Sequence, residues 1–165
     1  MMRVYVIRHA PAFEHDARRW PEDRLRPLSP LGIKKFRKAA AGLERLAAVS
    51  CVLTSPFVRA RETAAILTSV AGWPRAKELA ALAPGHPPRE VLAAIRDQAV
   101  PTLALVGHEP ALSELIATSL GGAGARIPLE LKKGGAACLE FSSAVREGRA
   151  RLEWLITPKA LRALA

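Results

Sequence analysis

Three short stretches carry the residue types that phosphoryl chemistry needs: Arg8-His9, Ser55 with Arg59 one turn beyond it, and His108-Glu109. A neutral imidazole nitrogen is a competent nucleophile toward phosphorus near neutral pH. The group under attack spreads negative charge over three equatorial oxygens. Catalysis therefore asks for positive charge and hydrogen-bond donors around those oxygens, with attack and departure in line. An arginine fork donates two bonds to a phosphate and does not lose its charge. Singly, each group has a plainer role. An Arg-His pair after a strand is commonly structural, and His108 could cap the helix that begins near Pro110. Arg59 could pair with Glu62 or Thr63 along its own helix, and Glu109 suits a helix start, where the dipole favours negative charge. Position sets them apart: every one falls at, or one turn past, the end of an expected strand.

The elements that must place them follow from short apolar runs alternating with helical patterns. Residues 3–7, 51–54 and 102–106 read as buried strands, with a brief strand near 77–79. Helices are expected at 30–49, 56–70, 89–98, 110–120 and 158–164. Ser29 and Ser55 serve as caps, with Pro30 and Pro56 at the first helical positions. The helix start at Ser55-Pro56 would add backbone donors for an anion. Residues 136–141 and 150–156 read as two strands whose connection is too short for a crossover helix, hence a hairpin. The sum is an α/β three-layer sandwich: a mainly parallel sheet, one antiparallel edge strand, and helices on both faces. Ligands in such sheets bind beyond the carboxyl ends of the strands, so the three chemical stretches meet if their strands are neighbours. No repeat or linker divides the chain, and residues 1–165 are expected to form a single domain.

Half the residues are apolar and about a quarter are charged, a globular balance. No apolar run approaches the roughly 20 residues of a membrane span. The apolar opening is too short for a signal-peptide core, so a cytoplasmic location with no membrane partner is expected. Cys51 and Cys138 lie in apolar, strand-like contexts without metal-ligand spacing, as buried reduced thiols do. The formal charge of +10 favours anionic partners. Part of it forms the outer face of the first helix (Lys34, Lys35, Arg37, Lys38), either a solvated surface or a dock for an acidic partner. Nucleic acid is disfavoured, because a single Tyr and few other aromatics offer little stacking.

Together these residues resemble the histidine phosphatase superfamily, of phosphoglycerate mutase-like fold, and within it the small SixA-like phosphohistidine phosphatases. Arg8-His9-Ala10 is similar to the family's Arg-His-Gly signature, with Ala10 in place of Gly. Residues 23–32 resemble the stretch leading into the branch's first helix. Residues 54–64 (TSPFVRARETA) and 106–110 (VGHEP) are similar to the second and third motifs, and residues 131–136 and 152–155 to later stretches. The resemblance implies that His9 attacks phosphorus and is transiently phosphorylated. It further implies that Arg8, Arg59 and His108 hold the phosphoryl oxygens beside Ser55, and that no metal or cofactor is needed. Ala10 predicts a negative φ there, since only Gly freely adopts the alternative.

Larger members of the family supply a carboxylic acid to protonate the leaving alkoxide. Glu78 and Glu109 are the candidates for that acid here, while His86, in the Pro-rich loop 84–88, reads as an exposed side chain. A phosphoramidate asks less of such an acid than an alkyl phosphate does. The chain also lacks insertions that would cap a sugar phosphate. Both features favour a protein phosphohistidine as substrate. The alternatives are a phosphatase or mutase acting on small phosphoesters, and a non-catalytic anion-binding or docking module.

Overall fold

Side chains along the inner strands are apolar on both faces, as strands covered by helices on either side require. The computed structural model, which describes residues 1–165, contains β1 (Met2–Arg8), β2 (Cys51–Thr54), β3 (Lys77–Glu78), β4 (Thr102–Gly107), β5 (Ala136–Phe141) and β6 (Ala150–Ile156). They form one sheet in the order β3-β2-β4-β1-β5-β6. Tyr5, Ile7, Val52, Ala104 and Val106 point into one core layer, shared with Phe36, Leu43, Leu67 and Trp73. Val4, Val6, Leu53, Leu103 and Leu105 point into the other, shared with Leu92, Ile95, Leu112 and Ile116. The helices are α1 (Pro30–Leu46), α2 (Val58–Ala71), α3 (Pro88–Arg96), α4 (Ala111–Gly121) and α5 (Pro158–Ala163). No helix is long and apolar enough to cross a membrane.

The three-layer α/β architecture agrees with the sequence expectation, and the hairpin refines it. β1 to β4 run parallel. β5 is antiparallel to both β1 and β6, so the reversed strand is the inner member of the hairpin and the edge strand β6 runs with β1 again. The basic residues of α1 are exposed, opposite Phe36, Ala39, Ala40 and Leu43. Ser29 caps α1 by accepting the Gly32 N–H at 3.0 Å. Gly32 cannot carry a side chain: a Cβ there would lie 1.9 Å from the Pro11 carbonyl oxygen. That close approach pins the chain leaving β1 against the first turn of α1.

Ser55 departs from expectation. It does not cap a helix starting at Pro56, because α2 begins only at Val58 with Phe57 as its cap residue. Its hydroxyl accepts the Phe57 N–H at 3.2 Å and is turned toward His108.

Candidate active site

Register decides the site. β4 lies between β1 and β2, with Arg8 opposite Gly107 and Thr54 opposite Val106. The three strands therefore end level, and the next residues of each are His9, Ser55 and His108. The ladder continues one step past the strands, with His9 N–H donating to the Gly107 carbonyl at 3.0 Å and Ser55 N–H to the Val106 carbonyl at 2.9 Å. These bonds fix the backbones from which the site's side chains spring.

The His9 and His108 rings are 5.1 Å apart between centroids. The Phe57 ring lies 5.0 Å from that of His108, and the Arg59 guanidinium 5.0 Å from the Phe57 ring. His9, Ser55, Arg59 and His108 are buried, and the Arg8 side chain is nearly so. The structure thus gathers the five residues singled out at the strand ends. Glu78 lies elsewhere, on the short outer strand β3, where its carboxylate pairs with Arg61 at 3.2 Å. It lines a groove along α2 that includes neither His9 nor His108. Glu109 is near His108, but one carboxylate oxygen accepts the Ser113 hydroxyl at 2.7 Å and the Leu131 N–H at 2.9 Å, and the other accepts the Ser113 N–H at 3.2 Å. It clamps the start of α4 to the segment before β5.

Each polar group has a defined protonation. The His9 Nδ1 lies 2.7 Å from the Ala10 carbonyl oxygen; a carbonyl only accepts, so Nδ1 carries the ring proton and Nε2 keeps its lone pair. Burial pushes the imidazole down to about 3, with Arg59, Arg8 and Lys133 adding to the effect against the upward pull of the Ala10 carbonyl. His9 is therefore neutral at pH 7. Burial likewise pushes His108 down to about 3, assisted by His9 and Arg59. The His108 Nε2 is 2.8 Å from the Ser55 oxygen. The Ser55 hydroxyl hydrogen has no other acceptor, so we assign it to that nitrogen, which places the His108 ring proton on Nδ1.

The two arginines are held differently. Arg8 Nη1 donates to the Leu131 carbonyl at 2.7 Å, with the exposed Glu130 carboxylate 3.5 Å away. Arg59 donates through Nη1 to the Asp23 carbonyl at 2.9 Å and through Nη2 to the Asp23 carboxylate at 3.0 Å. Burial alone would raise the Asp23 carboxyl, but hydrogen bonds and charge from Arg26 and Arg59 hold it below its usual value. The sequence options for Arg59 are thereby corrected. Glu62 instead accepts the Leu28 N–H at 2.7 Å. Thr63 accepts the Ala10 N–H at 3.0 Å and donates to the Arg59 carbonyl at 2.7 Å, tying the end of β1 to α2. His108 does not cap α4, whose first turn is served by Glu109.

Nothing in the sequence singled out Asp23, Lys133 or the Leu131 carbonyl, and Thr63 stood out only as a partner for the Arg59 side chain. Asp23 opens a single 3₁₀ turn, Asp23–Leu25, too short to show a periodicity, and only the fold brings it to Arg59. Ala10 keeps a negative φ as expected; Ala99 alone among non-glycine residues has a positive one. The turn beneath the site is made by Gly134, whose φ of 78° is open to Gly and whose N–H donates to the His9 carbonyl at 3.1 Å.

One feature unites the cluster. Three buried side-chain nitrogens have no hydrogen-bond partner within the chain: Arg8 Nε, Arg59 Nε and His108 Nδ1. Buried donors are nearly always satisfied, and exceptions call for a reason such as an ion. Here all three belong to the residues around His9.

Comparison with known proteins accords with this geometry. The model of the Histidine phosphatase superfamily (branch 1) matches residues 4–83. An uncharacterised protein of Picosynechococcus sp. is 36% identical over 157 residues, covering 92% of this chain and 89% of its own. The structure of the protein histidine phosphatase SixA complexed with tungstate superposes with a TM-score of 0.83 at 25% identity, covering 97% of this chain and 99% of that one. A mycobacterial glucosyl-3-phosphoglycerate phosphatase with inorganic phosphate shares the fold, with a TM-score of 0.71 at 15% identity over 96% of this chain and 99% of that one. By sequence, fold and the convergence of its strand ends, the chain belongs to the histidine phosphatase superfamily, on its SixA-like side.

Proposed function

We propose that this chain is a phosphatase in which the His9 Nε2 attacks phosphorus and forms a transient phosphohistidine, with a protein-borne phosphohistidine as the substrate. The observation that carries the reading is the pairing of a neutral imidazole, its Nε2 lone pair free, with three buried donor nitrogens that lack acceptors. A PO₃ group at Nε2 would supply those acceptors. Arg8, Arg59 and His108 would then share its oxygens, and their charge and dipoles would stabilise the transition state in a desolvated site.

The electron accounting is simple. In the first step the Nε2 lone pair forms the N–P bond while the bond from phosphorus to the leaving nitrogen breaks, and that nitrogen takes up a proton. In the second, a water oxygen attacks phosphorus and the N–P electrons return to His9, releasing inorganic phosphate. The SixA match supports a phosphohistidine substrate. So does the absence of a free carboxylic acid among Glu78 and Glu109, because a protonated imidazole leaves far more readily than an alkoxide.

The test is to trap the protein with labelled phosphoramidate. An acid-labile adduct on wild type that is missing from His9→Ala supports the covalent step. Turnover of small alkyl phosphates in preference to a phosphohistidine peptide would move the substrate to phosphoesters. No adduct and no turnover would leave an anion-binding module.

A further inference from the structure

His86, read from sequence as an exposed loop residue, faces a cavity of about 450 Å³ whose walls include His108, Glu109 and Glu114 on one side and residues 84–88 on the other. A concavity of this size accommodates a ring or side chain. His108 belongs both to this wall and to the buried cluster around His9. In-line transfer places the departing group away from the nucleophile, and this open volume adjoins the cluster at His108.

His86 is not loosely held. Pro84, Pro87 and Pro88 fix the backbone dihedrals around it, and Pro88 opens α3. One turn on, the Glu90 carboxylate accepts from His86 Nδ1 at 2.7 Å. An ionised carboxylate only accepts, so Nδ1 is the donor and Nε2 is left for proton exchange. This is the arrangement of an imidazole oriented by a carboxylate for acid–base work. The other carboxylates of the cavity differ in use: Glu109 is saturated by Ser113 and Leu131, and Glu114 is exposed on α4.

We propose that the His86–Glu90 pair protonates the leaving group, with His86 as the acid and Glu90 as the positioning residue. The inference deepens the phosphatase reading and rests on it. As the bond from phosphorus to the leaving nitrogen breaks, the imidazolium form of His86 gives its Nε2 proton to that nitrogen. In the second half-reaction neutral His86 takes the proton of the attacking water as its oxygen bonds to phosphorus. The cycle returns His86 to its starting form, and water is the only co-reactant.

The experiment compares two substrates on full-length protein: a phosphohistidine peptide, whose leaving group needs a proton, and p-nitrophenyl phosphate, whose phenolate does not. General acid catalysis contributes roughly 10²- to 10⁴-fold. His86→Gln should lower kcat/KM, which reports only the steps through transfer to His9, about 100-fold on the peptide while changing it less than about threefold on the aryl ester. His86→Ala should regain rate on the peptide when imidazole is added, and Glu90→Gln should show the same substrate split in weaker form. Equal loss of kcat/KM on both substrates, no loss on either, or no rescue by imidazole overturns the assignment while leaving His9 chemistry intact. Failure of wild type to form the His9 adduct overturns both, and trapping is therefore measured first.

Discussion

On one side of His108, the polar groups of His9, Ser55 and Arg59 are almost wholly removed from solvent; on the other, His86 and Glu90 keep 39% and 47% of their side-chain surface exposed. The buried side is assembled from three strand ends and held by long-range contacts: Asp23 on Arg59, Thr63 on Ala10, Leu131 on Arg8. The open side is one rigid loop and the first turn of one helix. The difference fits what each end would handle. A PO₃ group is the same in every substrate, so preorganised, desolvated donors serve it best. The group that carries it varies and is large when it is a protein, so that end must stay open.

The largest expected break comes from His9→Ala. Turnover should fall by on the order of 10⁴-fold or more, as when a covalent nucleophile is lost, while the thermal unfolding midpoint holds or rises because a buried polar ring is gone. A residual rate within tenfold of wild type would remove His9 as nucleophile. Arg59→Ala should cost about 3 kcal/mol of transition-state stabilisation, read as a fall of roughly 10²-fold in kcat; a change confined to KM would mean that Arg59 only gathers substrate. Thr63→Val tests the scaffold beneath. It leaves the buried Ala10 N–H without an acceptor, and denaturant unfolding should show a loss of about 2 kcal/mol.

Asp23→Asn should be milder, lowering kcat about tenfold by loosening one fork of Arg59, since a single charge-assisted bond contributes about 1.5–3 kcal/mol at most. An increase in rate would instead identify Asp23 as a competitor for the arginine. The smallest effect is on stability against pH. His9 and His108 sit near 3 in the folded state and about 6.5 when unfolded. The unfolded chain therefore binds more protons between those values, and stability rises with pH across that window and levels off above it. Acidifying from pH 7 to 6 should remove about 1 kcal/mol, less in His9→Ala. The depressed Asp23 carboxyl acts in the same direction at lower pH, its contribution being lost as pH falls through its folded value. Stability unchanged from pH 7 to 4 would mean that both rings take up protons freely in the folded protein.

Much of the fold and the heart of the site could be read from the chain because both rest on local patterns. Runs such as Val4-Tyr5-Val6-Ile7 and Leu103-Ala104-Leu105-Val106 are apolar, which marks inner strands, and the chemical residues follow within two positions. Ser29-Pro30 marked the start of α1 correctly. The same signal misled at Ser55-Pro56, where the hydroxyl serves His108 and α2 starts later. A Ser-Pro pair reads alike in both settings; what differs is the imidazole delivered from a distant strand.

The chain by itself determined which residues stand at strand ends, because apolar periodicity, proline and glycine act over a few neighbours. The fold alone decided that β4 is inserted between β1 and β2, that Asp23 rather than Glu62 grips Arg59, and that His86 shares a wall with His108. Those outcomes depend on strand order and loop closure across many residues. They are set by the packing of two core layers, which no window of sequence contains.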